Sequence, residues 1–172
     1  MTDAIEFDPV DTIGAGAFGE PGARTFVIQA RKGAAVLSVL VEKEQVALLA
    51  TEAEQFLDKL AEEHPEEPAT LTEQGGGAVQ EDEPLFRARL IGIGFDPDRS
   101  LVLLELREQA AEDDPPPAIE ESEGHIARLY ATRAQIRAML ANGVVAVGAG
   151  RPKCPLCDFP MDPDGHICPR MN

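Results

Sequence analysis

Long apolar runs are missing from this chain. No stretch approaches the roughly 20 residues that cross a bilayer, so no membrane span is expected. Positive charge is also short: 15 Lys and Arg face 31 Asp and Glu, leaving a net charge of −16. So acidic a chain repels the phosphates of nucleic acids and anionic lipid surfaces, so neither is expected as a partner. The opening MTDAIEFDPV has no basic start and no apolar core, so no signal peptide is expected. Serine is scarce, and none stands in a nucleophile elbow. Cysteine is limited to three residues, all within 151–172, too few and too clustered for a disulfide framework. That usage fits a reducing cytoplasm. What remains is an apolar fraction of 44% in 172 residues, enough for one packed domain and a small appendage.

The appendage carries the strongest chemical signal. Residues 151–172 read RPKCPLCDFPMDPDGHICPRMN, with Cys154, Cys157, His166 and Cys168 spaced C-x2-C-x8-H-x-C. Three thiolates and an imidazole make a closed tetrahedral set for zinc. Cys154-Pro155-Leu156-Cys157 forms one knuckle. Asp162-Pro163-Asp164-Gly165 is turn chemistry that delivers His166 and Cys168 opposite it. Asp158 follows the second cysteine and tolerates the left-handed region that such knuckles need. A redox CxxC would want a following helix, which Pro155, Pro160 and Pro163 forbid. A catalytic zinc keeps one position open, and four protein ligands leave none, so the metal is expected to be structural.

Along the body, Asp3 to Asp8 alternates as a short strand. Pro9 to Gly22 is rich in glycine and reads as loop, with Gly14 and Gly16 as bend residues; it lacks the full dinucleotide fingerprint. Thr25 to Arg31 and Ala35 to Val41 read as strands joined at Lys32-Gly33. From Lys43 the apolar period becomes helical, through Val46, Leu49, Ala53, Phe56, Leu57 and Leu60, ending near Glu63. Thr51-x-x-Glu54 is a capping-box pattern as well, so a start at Thr51 is the rival boundary. Residues 64–83 and 108–123 are acidic and rich in glycine or proline, and are expected to be mobile linkers. Leu85 to Phe95 reads as one long strand, Asp96 to Arg99 as a hairpin turn, and Ser100 to Arg107 and His125 to Ala131 as further strands. Thr132-x-x-Gln135 caps a second helix with apolar face Ile136, Met139, Leu140, Gly143, Val144 and Val147, which Asn142-Gly143 is placed to kink or to end early.

LVEKEQVALLA (Leu40 to Ala50) aligns with YATRAQIRAMLA (Tyr130 to Ala141). Glu42 falls over Thr132, Gln45 over Gln135, Val46 over Ile136 and Leu49 over Met139. Both halves then read βββα. The expected class is α+β: two such repeats in a mainly antiparallel sheet of about six strands, one face covered by two helices. Residues 1–150 form this body and residues 151–172 the zinc tail.

The remaining chemistry is thin. His64 sits in the first acidic linker and is expected to be solvated; His125 opens a strand and is expected to be structural. The best polar cluster is Glu20, Arg24, Gln29, Glu42, Lys43 and Gln45, candidates for a ligand or partner contact. Its plainer reading is a turn tied by an ion pair plus a helix start. Two functions follow. The first is a non-enzymatic, zinc-stabilised adaptor with a protein partner. The second is a hydrolase or transferase acting on a phosphorylated or small polar substrate through Glu20, Arg24 and Lys43.

Several stretches carry a family resemblance. They are Gly19-Glu-Pro-Gly-Ala-Arg-Thr-Phe26, Gln29-Ala30, Glu42-Lys-Glu-Gln-Val46, Ala149-Gly-Arg-Pro-Lys-Cys-Pro-Leu-Cys157 and Asp162-Pro-Asp-Gly-His-Ile-Cys-Pro-Arg170. Together they resemble the actinobacterial family known as domain of unknown function 3090, sometimes labelled a repeat protein. The resemblance spans nearly the whole chain outside the two acidic loops. It departs at Asp158, where relatives usually carry glycine. It implies no assigned activity, only genetic association with a histidine-phosphatase-like and a lipid-kinase-like protein.

Overall fold

Each half of the chain runs through four strands and then a helix. The computed structural model describes residues 4–65, 77–108, 124–150, 152–161 and 165–171. The first half holds β1 (Ala4–Phe7), β2 (Thr12–Phe18), β3 (Thr25–Lys32), β4 (Ala35–Val41) and α1 (Lys43–Glu63). The second holds β5 (Phe86–Arg87), β6 (Leu90–Asp96), β7 (Leu101–Arg107), β8 (Ile126–Ala131) and α2 (Arg133–Gly148).

The class is α+β, but the strands form two sheets of four rather than one sheet of six. Their orders are β1-β8-β7-β6 and β2-β3-β4-β5. Each half supplies three antiparallel strands to its own sheet and lends its first strand to the other. β1 lies parallel to β8, with Phe7 opposite Leu129, and β5 lies parallel to β4, with Phe86 opposite Val39. The crossing points match. Val10 N donates to Tyr130 O at 2.8 Å and Asp11 N to Arg31 O at 2.8 Å; Ala88 N donates to Leu40 O at 2.9 Å and Arg89 N to Arg107 O at 2.8 Å. One residue therefore closes one ladder and the next opens the other. A single long strand over Leu85 to Phe95 is incompatible with this, because Phe86–Arg87 and Leu90–Asp96 belong to different sheets.

The second correction is β2, which its glycine content places in a loop but the structure places in a sheet. It pairs with β3 along its whole length, Gly14 opposite Gln29 and Gly16 opposite Val27. Its glycines serve close approach. A Cβ at Gly14 would lie 2.0 Å from the Gly77 carbonyl oxygen, and one at Gly16 would lie 2.3 Å from Val79 Cγ2. Residues 77–84 run across this sheet as a strap. Gly77 N donates to Ile13 O and Leu85 N to Ser38 O, both at 2.9 Å. The strap explains why β3 is buried from Phe26 through Ala30 without alternation, whereas β7 and β8 alternate. Of the expected linker 64–83, the part 77–83 is thus docked, and residues 66–76 lie outside the described residues. So does nearly all of the second, at 109–123.

The helices follow their sequence signals. Thr132 Oγ1 accepts from Gln135 N at 3.1 Å, and Gln135 Oε1 accepts from Thr132 N at 2.9 Å. Gln45 Oε1 accepts from Glu42 N at 2.8 Å in the same box at α1. Such caps contribute about 0.5–2 kcal/mol each. Each glutamine also reaches the crossing point of the other half: Gln135 Nε2 donates to Asp11 O at 3.1 Å, and Gln45 Nε2 to Ala88 O at 3.2 Å. The rival start at Thr51 fails, since Thr51 Oγ1 bonds back to Ala47 O inside the helix. α2 runs through Asn142 and Gly143 without ending. Gly143 is the contact with α1: a Cβ there would come 3.0 Å from Val46 Cγ1 and 3.5 Å from Ala15 Cβ. Val144, placed on the apolar face by its spacing, is instead exposed. The inward residues of both sheets and both helices form one core, with Ile13, Val39, Leu57, Leu104, Ile136 and Met139 fully shielded. Among the described residues, no helix is long and apolar enough to cross a membrane.

Candidate metal centre

Three local features build the tail. Lys153 bridges Pro160, Cys154 N donates to Phe159 O at 2.9 Å, and Met161 N donates to Pro152 O at 2.8 Å, so residues 152–161 form a small hairpin. Cys154 and Cys157 sit at its closed end, where Asp158 N donates to Cys154 O at 2.9 Å. Asp158 takes φ 65°, the left-handed conformation read from its place in the knuckle. Gly165 takes φ 100° just before His166. Residues 162–164, expected to form the preceding turn, lie outside the described residues.

This backbone brings the four predicted ligands together. One ligand atom each from Cys154, Cys157, His166 and Cys168 lies within 4.8 Å of all the others. Cys154 Sγ is 3.9 Å from Cys168 Sγ, and Cys157 Sγ is 3.9 Å from His166 Nε2. Two thiolates at about 2.3 Å from one tetrahedral ion stand about 3.8 Å apart, so the sulfur spacing suits a shared metal. It is far beyond a disulfide, which needs about 2.05 Å, and all three cysteines are free. Cys154 and Cys168 are buried, while Cys157 and His166 are half-buried.

The electrostatics already favour one thiolate. Backbone N–H groups of Cys157 and Leu156 point at the Cys154 sulfur and hold its thiol down at about 6. Cys157 moves the other way: burial is the largest cause, and neighbouring sulfurs add to it. Crowded thiols raise one another until a cation neutralises the set, so the donor set fits a divalent metal such as zinc.

The six-residue polar cluster divides. Arg24, Glu42 and Lys43 line one cleft of about 600 Å³, together with Thr25, Phe26, Leu40, Glu44, Pro84, Arg87, Gly150 and Pro160. Gln29 is buried elsewhere, bonded to Ser38 Oγ at 2.7 Å and to the main chain of Gln80. Gln45 is spent on the α1 cap and on Ala88 and Arg89. Glu20 lies exposed in the β2–β3 turn and does not line the cleft. Arg24 Nη1 donates to Ala146 O at 2.9 Å, closing the last turn of α2, which has no basic residue of its own. Glu42 pairs with Arg87, a residue that sequence reading missed because 45 positions separate them.

The other two histidines lie outside the cluster of Cys154, Cys157, His166 and Cys168. His125 Nδ1 lies 2.8 Å from Glu108 Oε2, and its ring stacks on Phe86 at 5.5 Å. His64, though exposed, is the cap residue of α1; its ring lies 5.2 Å from Phe95 and its carbonyl accepts from Arg133 Nη1 at 2.6 Å.

The sequence model of the family described as "Protein of unknown function (DUF3090)" matches residues 5–168, a span that ends on the last of the four ligands. No curated protein and no solved structure matches the chain.

Proposed function

The chain belongs to the DUF3090 family, whose description assigns no activity, and we propose from its own site that it is a non-enzymatic, zinc-stabilised adaptor or regulatory module that binds another protein. In this reading residues 1–150 are the body, and residues 151–172 are a tail folded by structural zinc and held in the reducing cytoplasm. The observation that carries it is the closed cluster of Cys154, Cys157, His166 and Cys168. Four protein ligands leave a tetrahedral ion no position for substrate or activated water. The same short tail turns Ile167 (90% exposed) and Phe159 (60%) outward, and Leu156 and Met171 are exposed as well. A metal that fixes apolar side chains in solvent makes a rigid contact element. Nucleic acid and membrane surfaces remain unfavoured partners for a chain of net charge −16.

The alternative, a hydrolase or transferase acting on a phosphorylated or small polar substrate, rests on the cleft at Arg24 and Lys43. The described residues that line it include one hydroxyl, Thr25, and neither histidine nor cysteine. That lining favours binding over group transfer.

Capture from native lysate tests the adaptor. The intact chain should retain a stoichiometric protein partner, and Cys154→Ser with Cys157→Ser should lose it. Ile167→Asp or Phe159→Asp should lose the partner while keeping the metal. Retention by all of these variants contradicts the reading.

A further inference from the structure

We infer that the cleft between the start of α1 and the tail is a binding site for a metabolite-sized ligand bearing a terminal oxyanion group, phosphate or carboxylate. The inference is independent of the metal reading, because the side chains that would grip the ligand belong to the body.

The first ground is charge. The chain carries −16, yet this cleft is lined by three cations, Arg24, Lys43 and Arg87, against two carboxylates, Glu42 and Glu44. Arg87 pairs with Glu42. Among the described residues Arg24 and Lys43 make no ion pair. Arg24 spends one donor on Ala146 O, while its Nε is shielded from solvent and has no hydrogen-bond partner among the described residues. Nε is as shielded from a ligand as it is from water, so what the cleft offers an oxyanion is the charge of the Arg24 guanidinium and of the Lys43 ammonium. Concave sites with like charges focus the field even where the overall charge opposes it.

The second ground is shape. A cleft of about 600 Å³ far exceeds a lone phosphate and matches a metabolite. Beside its charged residues the lining includes apolar ones, Phe26, Leu40, Val41, Pro84 and Pro160. The complementary ligand has an anionic end and a less polar body. Lys43 stands where tail and body meet: a Cβ at Gly150 would come 3.3 Å from its Nζ. Lys43 and Glu44 also open α1, whose first-turn N–H groups add partial positive charge. Glu44 is the carboxylate that opposes binding.

The test is an NMR titration of the full, metal-loaded chain at constant ionic strength with inorganic phosphate, phenyl phosphate and benzoate. Saturable shifts are expected at the amides of Thr25, Lys43, Glu44 and Gly150, tighter for phenyl phosphate than for inorganic phosphate. A site for phosphate favours phenyl phosphate over benzoate, and a site for carboxylate reverses that order; either supports the inference. Lys43→Ala, an exposed helix-start residue that folding tolerates, should weaken binding about tenfold. Glu44→Gln should strengthen it. Absence of saturable shifts at about 10 mM of every probe, or equal binding by Lys43→Ala, overturns the inference. Metal content, measured on the same samples, reports separately on the tail.

Discussion

Gln29 and Gln80 exchange two hydrogen bonds of 3.0 Å: the side-chain amide of one donates to the main-chain oxygen of the other and accepts from its nitrogen. A side chain thus imitates a β-partner. It fastens the strap 77–84 to a sheet that otherwise presents Gly14 and Gly16 to solvent. Gln29→Ala should cost about 1–2 kcal/mol, since it leaves the Gln80 peptide and Ser38 without their partner. Hydrogen exchange over residues 77–84 should quicken well before the core does. Unchanged protection there would mean that the glycine contacts alone seat the strap.

Gly143 sets the distance between the helices. Gly143→Leu must displace Val46 and Ala15, and overpacking of that kind costs about 1–3 kcal/mol. Thermal unfolding checks it, with Leu48→Ala on the exposed side of α1 as a control that should stay within about 0.5 kcal/mol.

Glu105 supplies a pH dependence. Burial would raise its carboxyl, but Arg128 at 2.9 Å and Arg107 at 2.5 Å outweigh burial and hold it below the ordinary carboxylate range. The backbone N–H and ring of His125 lower Glu108 in the same direction. A carboxylate depressed on folding stabilises above its unfolded value, and that stability is lost as pH falls through the folded value. Glu105→Gln should remove about 1 kcal/mol near neutrality and flatten the acid limb of the stability curve. Urea midpoints between neutral and acid pH read both effects.

Gln135 joins a cap to a crossing point. Gln135→Ala should cost about 1 kcal/mol through the Thr132 box and free the Asp11 carbonyl. Gln45→Ala should cost a similar amount. Their effects should be nearly additive, because the two boxes share no residue and no hydrogen-bond partner.

What the residues disclosed follows from how local each signal is. The capping box at Thr132, the turn at Asp96, the knuckle at Asp158 and the Cys154, Cys157, His166 and Cys168 cluster are local chemistry, legible within one short stretch each, whereas the box at Glu42 was hidden because glutamate is not a usual cap and Thr51 offered the commoner pattern. β2 was not legible either, because Gly14 and Gly16 owe their identity to Gly77 and Val79, more than sixty residues on. The break between β5 and β6 was hidden as well. Ala88 is buried and continues the apolar alternation, and no turn residue marks the change of sheet. Exchange of first strands is a relation between distant segments, so one short alignment of Gln45 with Gln135 reveals the symmetry of the helix starts but not the two sheets. The polar cluster mixed caps with cleft residues for the same reason. Gln29 and Gln45 are satisfied locally or by the strap, while Arg87 completes the cleft from the other half.

The claim on which the functional reading turns is that four side chains enclose the tail metal completely. X-ray absorption at the metal edge of the purified chain, with elemental analysis, measures this directly. The prediction is one zinc per chain, with three sulfurs at about 2.3 Å and one nitrogen at about 2.0–2.1 Å. A folded chain that binds no metal, or an ion with an exchangeable water in its coordination sphere, would contradict it.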